Sequence, residues 1–176
     1  MCELTAGENY TCDAAGGVDR VYIFPVRDDD GVSTIADYQT SGGNVSILTL
    51  VDGKKAFTFN IEAETASFTD DSVGEKVAGS NAYTHTSTVV LHGNTAETIV
   101  NVENLDAGRH AVIHQMADGS YELLHMTNGG KSQSSRASGT VYEDMNGTTL
   151  TITSKEKKKA RKISEAIVQS LLIPNS

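Results

Sequence analysis

The first clear apolar pattern along the chain is "RVYIFPV" (Arg20 to Val26), a near-continuous run that predicts a strand, with Pro25 marking an edge or an end. Two further runs, "NVSILTL" (Asn44 to Leu50) and "KAFTFNI" (Lys55 to Ile61), flank the turn sequence "VDGK". Asp52 and Gly53 both tolerate positive φ, so this pair predicts a hairpin. Within the second run Phe57 and Phe59 share one face and Thr58 and Asn60 the other, which is the alternation of a half-buried strand. Residues 62 to 81 then lose the apolar period and are rich in acids, Ser and Gly. Lying between "KAFTFNI" and "YTHTSTVVL" (Tyr83 to Leu91), they predict a long hairpin with a tip that is mobile in the isolated chain.

"NTAETIVNVENLDAG" (Asn94 to Gly108) changes period and predicts a helix of about three turns. Asn94 is the expected cap, Glu97 answers it in a capping box, Ala96, Ile99, Val100 and Leu105 form the apolar face, and Gly108 is the stop. Strands return with "RHAVIHQM" (Arg109 to Met116) and "YELLHM" (Tyr121 to Met126), joined through Asp118-Gly119 as a second hairpin. "SSRASGTVYED" reads as a strand or a loop, "TTLTITS" (Thr148 to Ser154) alternates cleanly, and Ile163, Ala166, Ile167, Ser170 and Leu171 fit a short helix ended by Pro174. The expected fold is therefore mainly β: an antiparallel sandwich or barrel with one central flanking helix, a long hairpin and a short C-terminal helix. The 176 residues suit one domain, with an N-terminal arm over 1–19, the hairpin segment 62–81 and a basic C-terminal segment over 155–176.

Composition supports short strands and turns over long helices, with 16 Gly and no Trp. Charge adds an asymmetry. Residues 155 to 176 hold six bases and two acids, leaving eight bases and twenty-one acids on residues 1 to 154. An acidic body repels nucleic acid and anionic membranes at long range. The run "SKEKKKARK" (Ser154 to Lys162) then has three readings: docking on the acidic body of another copy, a solvated surface, or a nucleic-acid arm. The last is weakest, because no aromatic residue is interleaved for base stacking. Cys2 and Cys12 allow one bridge but match no zinc spacing, so free thiols in a reducing compartment are expected. No run approaches the ~20 apolar residues of a membrane span, and no basic stretch leads into an apolar one at the N-terminus. The expectation is a soluble chain made in the cytoplasm.

Candidate chemistry is sparse. His110 and His114 share a strand face but lie about 13 Å apart along it, His85 and His92 fall on opposite faces, and His125 brings no third ligand, so no metal site is expected. "RDDDG" opens like a calcium loop, yet the twelfth position from Asp28 is Gln39 rather than Glu. There is no G-x-S-x-G, no G-x-G-x-x-G and no phosphate loop, the "GGKS" at Gly129 to Ser132 lacking its first Gly. Neither a catalytic nor a cofactor site is expected.

The order of three segments, "CELTAGENYTCDAAGGVDRVYI", "AGRHAVIHQMADGSYELLHMTNG" and "GTVYEDMNGTTLTITSKEKKKA", resembles the small virion proteins of tailed bacteriophages, specifically the tail-tube (major tail) proteins. Cys12, Gly16-Gly17, Asp118-Gly119, Asn146-Gly147 and Glu156-Lys157 carry the resemblance. The chain departs from it in having lysines where that group more usually has an apolar or Pro-containing stretch after Glu-Lys. The resemblance implies a non-enzymatic structural protein, without cofactors, that closes rings of six copies and stacks them into a tube with an acidic lumen through which DNA passes as cargo. It implies a place in the virion tail, with itself and other tail proteins as partners and no membrane. Expected inter-subunit contacts are Glu62, Glu64, Asp70, Asp71, Glu75 and Lys76 of the acid-rich segment, and Lys155, Lys157, Lys158, Lys159, Arg161 and Lys162 of the basic run. The alternatives are another virion part, such as a head decoration, collar or tail-end protein, and a free carbohydrate-binding β-sandwich. Few aromatics and no Trp disfavour the last.

Overall fold

Two apolar strands form the centre of the molecule. In the computed structural model, which describes residues 16–173 apart from 63, 75–80, 94 and 142, Val18–Pro25 (β1) pairs antiparallel with His110–Met116 (β7). Residues 21–24 and 111–114 are buried on both faces, which is why the middle of β1 reads as a near-continuous apolar run. Tyr22, Phe24, Ala111 and Ile113 enter one core, while Val21, Ile23 and Val112 enter another on the opposite face.

Around this pair a seven-stranded sheet runs in the order β2-β3-β11-β8-β7-β1-β4. Its other members are Ile35–Ser41 (β2), Asn44–Leu50 (β3), Phe57–Asn60 (β4), Tyr121–Leu124 (β8) and Arg161–Lys162 (β11). A second sheet has the order β5-β6-β10-β9, made of Ala66–Ser72 (β5), Tyr83–His92 (β6), Gly147–Glu156 (β10) and Lys131–Ala137 (β9). The helix Glu165–Leu171 (α2) packs Val168 and Leu171 into the first core. The second core lies between the sheets, joined by Val102 and Leu105 of the helix Ala96–Ala107 (α1). Neither sheet closes into a barrel, so the architecture is a mainly β sandwich with two helices, as the sequence predicts. Among the described residues no helix is long and apolar enough to cross a membrane.

The hairpin at Asp118-Gly119 forms as expected: β7 and β8 pair, Gly119 takes φ 84°, and the Asp118 carboxylate accepts from the Ser120 N–H and hydroxyl. The hairpin at Asp52-Gly53 does not. Gly53 makes a turn at φ 79°, but β3 pairs with β2 and β11 while β4 pairs with β1, so the flanking strands lie far apart in the sheet order. The partner that β3 takes instead, β2, carries little apolar signal because most of its side chains are exposed. The long hairpin does exist, but its first arm is β5 inside the acid-rich segment, paired with β6 over seven positions. Its tip, with Glu75 and Lys76, lies outside the described residues, as do Cys2 and Cys12.

Helix α1 also departs in detail. Its cap is Thr95, whose hydroxyl accepts from the Thr98 N–H at 3.1 Å. The expected cap, Asn94, lies outside the described residues. Val100, expected on the apolar face, is 53% exposed, whereas Val102 is buried with Leu105 three residues on. Thr95→Ala should lower stability by about 1 kcal/mol, the usual value of an N-cap, measurable as a shift of the urea midpoint.

Candidate functional site

The four-stranded sheet carries the chemistry. Along β6, alternation turns His85, Ser87, Val89 and Leu91 inward, and along β10 it turns Leu150, Ile152, Ser154 and Glu156 inward. The interlayer space is therefore apolar at one end and polar at the other. From the facing sheet β7 supplies His114, and His125 follows β8 with φ 64°, a left-handed backbone that a non-glycine residue adopts only at some cost.

These side chains form one relay. Ser154 donates to Glu156 Oε1 at 3.0 Å, so its oxygen must accept from His125 Nδ1 at 2.7 Å. Neutral His125 then has a bare Nε2, which accepts a hydrogen bond from the Ser87 hydroxyl at 3.0 Å. Ser87 in turn accepts from His114 Nε2–H at 2.9 Å, leaving His114 Nδ1 without a partner. Every donor in the chain thus points toward Glu156, whose second oxygen accepts from the Thr127 N–H at 2.9 Å. Burial holds both imidazoles in their neutral form: desolvation pushes His114 down to about 4 and, with His85 and His114 adding to it, His125 down to about 3. A second, looser branch runs beside the first. His85 Nδ1 accepts from the His125 N–H at 3.4 Å, and its Nε2 faces Asp70 Oδ1, 3.4 Å away but misaligned for a hydrogen bond.

Both branches end on the basic run. Asp70 Oδ2 accepts from the Ala160 N–H at 3.0 Å, and Glu156 is itself the last residue of β10. The run is not a tail: Lys155 and Glu156 finish β10, and Arg161 and Lys162 form β11 in the other sheet, so Lys157 to Ala160 carry the chain between the layers. Of the expected contact residues, Asp70 and Arg161 are only partly exposed, Asp70 being engaged within the chain. Lys162 is exposed but pairs with Glu122 at 3.0 Å, and Lys159 sits over the Tyr83 ring. Glu62, Glu64, Asp71, Lys155, Lys157 and Lys158 are exposed at the surface. The structure therefore separates the expected set into inward and outward members.

Sequence reasoning missed the relay. Its available signal was polar residues in phase with apolar ones, "H-x-S-x-V-x-L" along β6 and "L-x-I-x-S-x-E" along β10. A serine between two imidazoles has the composition of an activated nucleophile, but Ser87 has no exposed surface, and what the arrangement does is satisfy buried polar groups and lock the two layers.

The outer face of this sheet is of a different kind. Thr86 stands level with Thr69 and Thr153, and Thr88 with Ser67 and Thr151, giving rows of hydroxyls with Asp71, Lys131 and Lys155 around them. At its two edges, β5 is preceded by the exposed acids Glu62 and Glu64, and β9 bears the exposed bases Lys131 and Arg136. No family model, curated protein or solved structure matches the chain, so these edges and faces are what bears on its function.

Proposed function

We propose that the chain is a structural protein that assembles with itself into rings, in the manner of the tail tube of a tailed phage. The observation that carries this reading is the pair of open edges on the four-stranded sheet. Strands β5 and β9 are both seven residues long and run in opposite directions, because three antiparallel junctions separate them. Strand β9 of one copy laid beside β5 of the next continues the antiparallel pattern, and Lys131 and Arg136 meet an edge bearing Asp71, Glu62 and Glu64. Repeated around a ring, such head-to-tail pairing removes exposed edges that each monomer otherwise presents as a liability.

On this reading the outer hydroxyl face lines the bore. Among the described residues only Asp71 opposes Lys131 and Lys155 there, so the wall is hydroxyl-lined, with acids gathered toward the β5 edge, rather than uniformly acidic. Hydroxyls themselves offer no cation to the phosphates of passing DNA, and in this pairing Lys131 is set to meet Asp71 of the next copy. Lys157 and Lys158, exposed where the sheet ends, are placed to meet the acidic surface of an adjacent ring or another tail protein. Light scattering and negative-stain microscopy across concentration and salt test the proposal. Stacked rings are expected, weakened by salt, and the K131E/R136E double variant should remain monomeric while its fold is retained. Rings that form unchanged in that variant would rule out the edge pairing, and a closed oligomer that never stacks would favour a decoration or collar protein.

A further inference from the structure

A groove of about 620 Å³ opens between β4, at the edge of the seven-stranded sheet, and α1. Its size falls within the roughly 300–1,000 Å³ of small-molecule sites. Phe57 lines it with half its surface exposed, and Lys55 Nζ stands 5.3 Å from the ring centroid. Phe59 lies on the same strand and packs partly into the core. Across the groove from these rings, α1 presents Glu97, Asn101 and Asn104, and among the described residues none of these three side chains has a hydrogen-bond partner. Among the described residues the lining contains no lysine or arginine.

We propose that this groove binds a neutral saccharide. A sugar ring has an apolar C–H face that stacks on an aromatic ring and a rim of hydroxyls that both donate and accept. Two planar amides and a carboxylate supply matching acceptors and donors. A wholly apolar ligand would strip water from those amides without replacing its hydrogen bonds. An acidic sugar or a nucleotide would meet Glu97, the one carboxylate among the described lining residues, while Lys55 stands at the margin over the Phe57 ring. A peptide adding to the sheet edge would gain little, because β4 is only four residues long. The lining takes Leu91 and His92 from β6, an inner strand of the four-stranded sheet, but no described residue of the edge strands β5 and β9, so it does not depend on ring assembly.

The test is saturation-transfer NMR and calorimetry on the full chain with maltotriose, cellotriose and chitotriose as probes, and with an alternating apolar peptide and adenosine as competitors. At least one trisaccharide should bind. Phe57→Ala should abolish the signal, and N101A and N104A should each weaken affinity roughly tenfold, whereas Phe57→Tyr should retain it. All these positions are exposed, so circular dichroism should report unchanged folding. Failure of all three sugars to bind the wild-type chain, binding indifferent to Phe57→Ala, or displacement by the peptide or by adenosine would overturn the proposal.

Discussion

Replacing Ser87 with alanine is expected to destabilise the fold by about 2–4 kcal/mol. Among the described residues its hydroxyl is the only group joining His114 to His125, and all three side chains are fully buried. Its loss leaves an N–H on one imidazole and a lone pair on the other without water or a protein partner, each costing about 1–3 kcal/mol. The cavity itself is small, so most of the loss is polar. Urea unfolding followed by circular dichroism should show a lower midpoint with an unchanged slope. Thr153→Ala, on the outer face of the same sheet, is a control that removes a hydroxyl already in contact with solvent, and its effect should stay below about 1 kcal/mol. A Ser87→Ala loss no larger than the control's would mean that the rings rearrange and that the relay does not lock the layers.

Local chemistry was the part of the fold most legible in the sequence. The turn at Asp118-Gly119 and the helix from Ala96 are set by residues within a few positions of one another, and both appear where the pattern places them. Asp52-Gly53 shows where that logic stops: the turn is local and forms, but the partners of β3 and β4 are chosen by packing against β2 and β1. Strand β11 is two residues inside a lysine-rich run, and what makes it a strand is its place between β8 and β3, which no local pattern encodes. The same holds for Asp70, which reads as one of several exposed acids but accepts from the Ala160 backbone ninety residues away. For the site, alternation fixes that His85 and Ser87 face the same way as Val89, yet only the third dimension brings His114 and His125 to them. The charge asymmetry was readable, whereas its division between a crossover joining the two layers and two open edges was not.

Acid should unfold this protein through the relay, and the sign follows from the two imidazoles. His114 and His125 are held at about 4 and about 3 in the fold, against an ordinary 6.5 when the chain is unfolded. As pH falls below about 6.5 the unfolded chain takes up protons that the folded chain refuses, so stability present above that point declines. The decline continues until the buried rings themselves protonate near pH 4 and 3. Lowering an ionisation by one pH unit on folding corresponds to about 1.4 kcal/mol, so His114 alone accounts for on the order of 3 kcal/mol, a large part of the 5–15 kcal/mol typical of a domain. Burial lowers His110 in the same direction, and hydrogen bonds lower Asp118 and Asp144, which adds loss at the acid end. Melting temperatures measured from pH 8 to pH 4 should therefore fall most steeply between about 6 and 4. His114→Gln separates the relay from the rest, because the glutamine Nε2 can still donate to Ser87 but cannot take a proton. That variant should start less stable at neutral pH and lose stability more gradually with acid, by about one proton's worth of slope. Parallel curves for the two proteins would place the acid sensitivity outside the relay and leave its role as packing alone.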